Sequence, residues 1–130
     1  MKPITTIFIS ALLLLYAGCS NTTDVTNNNN IFSTRSVNDT LSISAVTTNY
    51  SVNQDLEMYF SVDTVKLLLG VAGYSNGNGN FKLYEDTTLL YSKDLNTNIQ
   101  SVQQLIPGKP TKANVTLSNY KGTVSISVTQ

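Results

Sequence analysis

Apolar and polar residues alternate with a period of two over most of the chain that follows Asp39. In the clearest run the apolar residues are Leu56, Met58, Phe60 and Val62, and more polar residues alternate with them. A period of two is typical of β-strands that bury one face, whereas a buried helix face repeats every 3.6 residues. After Asp63 and Thr64 the apolar positions shift by one residue to Val65, Leu67, Leu69 and Val71. The shift predicts a tight turn or a bulge at that point.

Turn-forming residues divide the rest of the chain into further short segments. Residues 73–80 contain two Asn-Gly steps, which favour a loop. Residues 81–84 and 89–92 flank a short polar segment and predict a hairpin. Apolar alternation over 115–117 and again over 124–128 predicts the last two strands.

Residues 99–106 fit either a strand or a helical turn. Ile99, Val102 and Ile106 have helical spacing, and Thr97 with Gln100 has the spacing of a capping box. We favour a strand because the neighbouring segments are strands. Seven or eight short strands at about ten-residue spacing are typical of two packed sheets. The sequence therefore predicts an all-β protein with a single antiparallel β-sandwich, jelly-roll or immunoglobulin-like, over residues 39–130.

The N-terminal residues have a different pattern. Lys2 precedes a mostly apolar stretch from Ile4 to Leu15. A stretch of about 12 residues is too short to cross a hydrocarbon core of about 30 Å as a helix. It has the length of the apolar region of a secretory signal, so residues 1–18 are predicted to be a signal peptide.

The next residues, Leu15-Tyr16-Ala17-Gly18-Cys19-Ser20, resemble the lipobox of bacterial lipoproteins. The resemblance implies cleavage after the small residues Ala17 and Gly18 and lipidation of Cys19, which becomes the new N-terminus. The family usually has Leu where this chain has Tyr16. In a Gram-negative cell, Ser20 after the cysteine implies transfer to the outer membrane. The alternative is an ordinary secretory signal followed by an incidental cysteine.

Residues 19–38 are rich in Thr and Asn and include an unbroken run from Asn27 to Asn30. A segment with so few apolar side chains buries little surface to offset the entropy of ordering its backbone. We therefore predict that it forms a flexible tether between the lipid and the domain.

Composition excludes several functions. The chain has no His and one Cys, which rules out Ser–His–Asp and Cys–His catalysis and an internal disulfide. Eight basic residues balance eight acidic ones, without the cationic stripe that nucleic-acid binding needs. We expect no enzyme activity, no metal site, no cofactor and no nucleic-acid partner.

Four tyrosines are the candidate ligand contacts. Tyr59 and Tyr84 lie on the polar phase of their predicted strands, and Tyr74 and Tyr120 lie in predicted turns. Exposed tyrosines stack on sugar rings or anchor a protein partner. The alternative is that the tyrosines on the strands pack against cross-strand neighbours on an outer sheet face.

The segment from Val115 to Ile126 resembles the closing hairpin of bacterial jelly-roll domains, among them carbohydrate-binding modules and pre-peptidase C-terminal domains. Residues 73–84 resemble the middle strand of the second group. The resemblance implies architecture more than activity, because the acidic clusters with which those relatives bind calcium are missing here. We expect a membrane-anchored, non-catalytic binding or structural module that contacts an envelope protein or a glycan. The alternative is an accessory or inhibitor-like lipoprotein that acts on an extracellular enzyme through its loops.

The lipobox predicts a measurable modification. The full-length protein, expressed in a bacterial host, is expected to gain acyl mass at Cys19 and to fractionate with membranes. The variant Cys19→Ser is expected to do neither, because a serine hydroxyl replaces the thiol that accepts the lipid. Intact-mass spectrometry of both proteins checks this. Equal cleavage and equal solubility of the two forms would show that Cys19 is incidental.

Overall fold

The computed structural model describes residues 21–27 and 29–130, and every regular element in them is a β-strand. The strands are β1 (Asn21–Asn27), β2 (Asn30–Val37), β3 (Thr40–Glu57), β4 (Thr64–Glu85), β5 (Thr88–Asp94), β6 (Ile99–Pro107) and β7 (Lys112–Thr129). All pairings are antiparallel. The all-β prediction is confirmed, and so is the strand at residues 99–106. The predicted signal peptide and its Ala17, Gly18 and Cys19 lie outside the described residues.

The strands form one hydrogen-bonded sheet in the order β1-β2-β3-β7-β4-β5, with β6 also paired to β4. Three of them are long: β3 and β7 have 18 residues each and β4 has 22. β7 pairs with β3 and β4 along its whole length, whereas the two halves of β3 and of β4 differ in their other neighbour. The part of the sheet built from residues 40–47, 64–72 and 122–129 together with β1, β2 and β6 is called the wide half. The narrow half is built from residues 50–57, 76–85 and 112–120 with β5.

The sheet folds back on itself, so that the two ends of each long strand meet. A straight strand of 18 residues would span about 60 Å. Yet Asp39, just before β3, donates its N–H to the carbonyl of Tyr59, just after it, over 3.0 Å. The β6–β7 connection joins the ends of β4 in the same way. Gly108 N donates to the Asp63 carbonyl over 2.7 Å, and Thr111 N donates to the Tyr84 carbonyl over 2.8 Å.

A carboxylate strengthens this closure. Asp39 has a positive φ of 57° in the tight turn between β2 and β3, and its Oδ1 accepts hydrogen bonds from Ser61 N at 2.6 Å and Ser61 Oγ at 3.0 Å. The bond from the Ser61 backbone is the main reason why the pKa of the Asp39 carboxyl is lowered from its ordinary value. The ionised form therefore holds the two chain segments together.

The folding back occurs at three bends that lie side by side. Register shifts place them at residues 47–52 of β3, 72–78 of β4 and 117–122 of β7, and β7 pairs with both of the others. Where the ladder is broken, side-chain oxygens accept the freed backbone N–H groups: Asn30 Oδ1 from Thr48 at 2.6 Å, Asn98 Oδ1 from Tyr74 at 2.9 Å, Asn96 Oδ1 from Gly79 at 2.6 Å and Ser51 Oγ from Asn119 at 2.9 Å. These bonds satisfy groups that would be costly to leave unpaired in a packed fold.

Both halves of the sheet contribute to one hydrophobic core. In the wide half, alternate residues such as Leu41, Ile43 and Val65 are almost fully buried. In the narrow half, Phe81, Leu83 and Val115 are equally buried, while the residues between them face outward. The period of two in the sequence therefore identified the buried faces correctly.

The prediction of a flexible tether over residues 19–38 is wrong for the described part of that range. β1 and β2 form a hairpin along the edge of β3, from the pair Asn21 and Ser36 to the pair Asn27 and Asn30. Phe32 is 1% exposed and Thr34 is buried beneath the same edge. Backbone pairing and these two inward side chains compensate for the polar composition, so the folded domain begins well before residue 39.

Two local predictions also change. The predicted loop at residues 73–80 lies inside β4, because its glycines bend the strand instead of reversing it; Gly73 and Gly77 have φ of 61° and 90°. The predicted strand at 55–62 ends at Glu57. Met58 and Phe60 remain buried beyond that point, but Met58 N donates to the Thr111 carbonyl in an irregular connection.

The bend in β4 predicts a difference between two glycine substitutions. A Cβ at Gly77 would lie 2.4 Å from the Asn119 carbonyl oxygen and 2.6 Å from that of Ser118, whereas a Cβ at Gly73 would meet nothing within 4 Å. Both positions have positive φ. Gly73→Ala is expected to lower the free energy of unfolding by about 1 kcal/mol, and Gly77→Ala by at least about 3 kcal/mol. Urea unfolding of both variants checks this; equal losses would contradict the geometry of the bend.

Candidate functional site

The outer side of the narrow half carries a continuous surface of hydrogen-bonding side chains, which we call the polar face. It consists of Asn53 and Asp55 of β3, Asn114 and Thr116 of β7, Asn80, Lys82 and Tyr84 of β4, and Ser92 and Asp94 of β5. Strand register aligns them in rows. One row contains Asn53, Thr116, Asn80 and Asp94, and the next contains Asp55, Asn114, Lys82 and Ser92. Their inward neighbours fill the core, so burial of one side of each strand presents the other to solvent.

Asn114 is the centre of the hydrogen bonds on this face. Its Nδ2 donates to Asn53 Oδ1 over 2.9 Å and to Asp55 Oδ1 over 2.8 Å. Thr116 Oγ1 lies 3.2 Å from Asn53 Oδ1 and 3.1 Å from Asn114 Oδ1, and it donates to these oxygens. These mutual bonds fix the rotamers of amides and hydroxyls that would otherwise move freely. A ligand on this face therefore meets acceptor oxygens that are already positioned.

One buried acceptor on this face has no partner. Asn80 Nδ2 donates to Asp94 Oδ1 over 2.8 Å, but its Oδ1 is buried and accepts no hydrogen bond within the described structure. Asn80 and Asp94 line a cavity of about 170 Å³ together with Asn96, Thr116 and Ser118. An unpaired buried carbonyl costs free energy. The oxygen is closed to solvent in this structure, so a donor in the cavity reaches it only when the Asn80 side chain moves.

The structure places two of the four candidate tyrosines at the surface of this half. Tyr84 lies half-buried on the polar face, and the Lys112 ammonium lies 5.1 Å from the centre of its ring. Tyr59 is 76% exposed and lies two residues after Glu57, the last residue of β3, which pairs with Lys112. Tyr84 thus has one ring face in contact with a cation, and Tyr59 has a free ring.

The other two tyrosines lie at the bends and pack against each other, with ring centroids 5.6 Å apart. Tyr120 was predicted to be exposed in a turn, and this is wrong: it is fully buried, and its hydroxyl donates to the Leu95 carbonyl over 2.5 Å. The reason is that β7 bends at this residue and turns the side chain inward. Tyr74 is half-buried, and its hydroxyl donates to the Gly77 carbonyl over 2.7 Å. Both hydroxyls stabilise the bends and are unavailable to a ligand.

Charge on the polar face is mixed. Lys82 shares its row with Asp55, and Asp94 lies in the neighbouring row. Within residues 21–27 and 29–130, no group of three or more His, Cys, Asp or Glu side chains is placed to hold a metal ion. The amide, hydroxyl and oppositely charged side chains of the face can donate and accept hydrogen bonds with a neutral polar ligand.

Sequence reasoning identified Tyr59 and Tyr84 but missed the asparagines and threonines of the polar face. Asn114 and its partner Asn53 are 61 positions apart in the chain. The only local signal was the alternation of amides and hydroxyls with apolar residues, for example Asn114-Val115-Thr116. That alternation showed which residues face outward but not which strands are neighbours.

The chain matches no protein-family model, no curated protein and no solved structure. Among the residues that the structure describes, there is no helix of the length and apolar character that membrane crossing requires.

Burial of Tyr120 predicts a loss of stability at alkaline pH. Desolvation, with a smaller contribution from Tyr74, raises the pKa of Tyr120 from 10.0 to about 12. Between these pH values the unfolded chain releases the phenolic proton and the folded chain retains it. The free energy of unfolding therefore falls as pH rises from 10 to about 12.

The variant Tyr120→Phe is expected to be less stable near pH 7 by about 1–3 kcal/mol, because the Leu95 carbonyl loses its donor. Its stability is expected to fall less steeply than that of the wild type over the alkaline range. Urea unfolding at a series of pH values measures both effects, with Tyr59→Phe as the exposed control. Parallel pH profiles for the wild type and Tyr120→Phe would contradict the assignment.

Proposed function

We propose that this chain is a lipid-anchored, non-catalytic binding module that contacts a glycan of the cell envelope through the polar face. The observation that carries the proposal is the pre-ordered set of amide, hydroxyl and carboxylate oxygens centred on Asn114. Sugars expose hydroxyl groups around an apolar ring, so their recognition needs fixed acceptors beside an aromatic side chain. Tyr84 supplies the aromatic group on the same face, and exposed Tyr59 extends it.

The cavity beside Asn80 provides a place for one sugar hydroxyl. A movement of the Asn80 side chain exposes its unpaired Oδ1 to the hydroxyl proton, and the Thr116 and Ser118 hydroxyls at the same cavity supply further hydrogen bonds. A site built to pair with a hydroxyl discriminates against ligands that lack it, because its own buried polar atom then stays unpaired. Binding at this position therefore provides specificity as well as affinity.

The pairing of the strand halves supports a jelly-roll sandwich over an immunoglobulin-like one. Division of the three long strands at their bends gives eight segments from β3 to β7. In chain order these segments are residues 40–47, 50–57, 64–72, 76–85, β5, β6, 112–120 and 122–129. Across the wide half the segments lie in the order first, eighth, third and sixth. Across the narrow half the order is second, seventh, fourth and fifth. This interleaving of early and late segments is typical of the two Greek keys of a jelly roll. The β1–β2 hairpin is an addition at the edge of the wide half.

The anchor in this proposal is the lipobox cysteine, Cys19, with the outer membrane as its location in a Gram-negative cell. Two or more acyl chains hold a protein on a bilayer far more firmly than one. The alternative of an inhibitor that acts through its loops has less support. One of the predicted loops, the Asn-Gly segment at residues 73–80, lies inside β4, where Asn76 and residues 78–80 pair with β7.

Binding to polysaccharides tests the proposal. Full-length protein in detergent micelles is incubated with insoluble peptidoglycan, chitin and cellulose, and the bound fraction is measured against concentration. At least one of these glycans is expected to retain the wild type. Asn114→Ala and Lys82→Ala are expected to weaken that binding by about tenfold, equivalent to about 1.4 kcal/mol.

The matched control is Lys66→Ala. Lys66 is an exposed lysine on the same strand as Lys82, but it lies in the wide half. Its substitution is expected to leave binding unchanged. Retention of the wild type by none of the glycans would contradict the proposal. Equal binding by all the variants would place the contact elsewhere on the molecule.

A further inference from the structure

The edge formed by β5 and β6 is a second surface that neither the polar face nor the anchor uses. β5 and β6 each pair with β4, on the narrow and wide halves respectively, and they are not hydrogen-bonded to each other. Each strand therefore presents unpaired backbone N–H and C=O groups along its outer side. At one end of this edge Leu90 packs against Gly108, where a Cβ would lie 2.8 Å from Leu90 Cδ2.

β6 lacks charge, the feature with which the other edge strands of this sheet are protected. Its sequence, Ile-Gln-Ser-Val-Gln-Gln-Leu-Ile-Pro, contains no charged residue. The other edges do carry charges: Asp24 in β1, Lys93 and Asp94 in β5, and Asp55 and Glu57 at the edge of the narrow half. Charged side chains, bulges and prolines normally prevent an edge from pairing with another strand. β6 has its terminal Pro107 and a register shift at Gln100 and Ser101, and between these two features its outer side is open to an added strand.

A cleft of about 130 Å³ opens between β5 and β6 beside this edge. Leu67 and Leu69 form its apolar floor, and Val102 of β6, which pairs with Leu69, is 60% exposed at its mouth. The inward positions of β5 complete it with Tyr91 and Lys93, which pair with the buried Leu83 and Phe81. The cleft is thus a part of the core that the sheet leaves uncovered.

The size and charge of the cleft define what fits it. A cavity of about 150 Å³ holds a molecule as large as benzene, so this cleft accepts one aliphatic side chain rather than a whole ligand. The Lys93 ammonium has neither an ion pair nor a hydrogen bond among the described residues, and no acidic residue lines the cleft. The Tyr91 hydroxyl is protonated at neutral pH and can donate, and burial raises its pKa further from the ordinary value of 10.0. A carboxylate is the complementary group for these two donors.

We propose that this edge binds an extended segment of another protein as an added strand beside β6. An aliphatic side chain of that segment occupies the cleft, and an acidic side chain on the same face of the segment pairs with Lys93. Main-chain hydrogen bonds to β6 supply affinity, and the cleft supplies specificity. The proposal is independent of glycan binding, because β6 belongs to the wide half and the cleft lies on the inner side of the sheet.

Fluorescence anisotropy of a labelled peptide tests the proposal. The probe is acetyl-Thr-Glu-Thr-Val-Thr-Glu-Thr-amide, whose central Val and flanking Glu residues share one face in either strand direction. Full-length protein in detergent micelles is expected to bind it at least about tenfold more tightly than the same peptide with Lys in place of Glu. The variant Lys93→Glu is expected to reverse this preference, and the reversal also shows that the variant is folded. An unchanged preference would overturn the proposal.

Two further variants distinguish binding in the cleft from nonspecific adsorption of the peptide. Val102→Glu places a charge at the mouth of the cleft and is expected to weaken binding of the probe by at least about tenfold. Leu105→Glu changes a residue that is 64% exposed and pairs with Lys66 on the opposite face of β6, so it is expected to change binding less than about threefold. Equal effects of the two variants would overturn the role of the cleft.

Analytical ultracentrifugation of the protein alone tests a second copy of the chain as the occupant. A dimer that Val102→Glu disrupts, in a protein that does not bind the peptide, would identify that second copy as the occupant and overturn the proposal of another protein.

Discussion

The alignment of three bends in neighbouring strands is the constraint on which the rest of the structure depends. A sheet whose long strands bend at different levels would lose its pairing, so β3, β4 and β7 must bend together. Tyr120 lies at the centre of this row. Its ring lies close to Gly79, where a Cβ would come within 2.9 Å of Tyr120 Cε2, and its hydroxyl reaches the Leu95 carbonyl. Asparagine side chains then accept the N–H groups that the bends remove from the ladder.

The polar face and the cleft between β5 and β6 are both consequences of this folding. Because the sheet folds over a single core, each strand of the narrow half has one buried face and one outer face, and the outer face becomes the polar face. Because the two edge strands β5 and β6 come from different halves, no hydrogen bonds close the space between them. The polar face therefore results from complete burial of the inner side of the narrow half, and the cleft between β5 and β6 results from incomplete burial at an edge.

The sequence was sufficient to predict strands, buried faces and the 81–84 and 89–92 hairpin, since all of these depend on neighbours within a few residues. It was insufficient at Gly73 and Gly77, because glycine residues of positive φ occur both where a chain reverses and where a single strand bends. It also failed at β1 and β2, where long-range pairing with β3 stabilises a segment of low hydrophobicity. The polar face escaped prediction for a similar reason: its members come from four strands, and only the tertiary fold makes them neighbours.

With the proposed anchor at Cys19, the position of β1 would limit the freedom of the domain relative to a membrane. Only one residue separates Cys19 from Asn21, the first residue of β1, so a lipid on Cys19 could lie no more than about 7 Å from the folded domain. Asn21 pairs with Ser36, whose hydroxyl donates to the Glu57 carbonyl at the end where the long strands meet. The bilayer would then lie against that end, and the three bends would point away from it. A module held in this way samples a narrow shell above the lipid headgroups, with the rows of the polar face at successive heights above the surface.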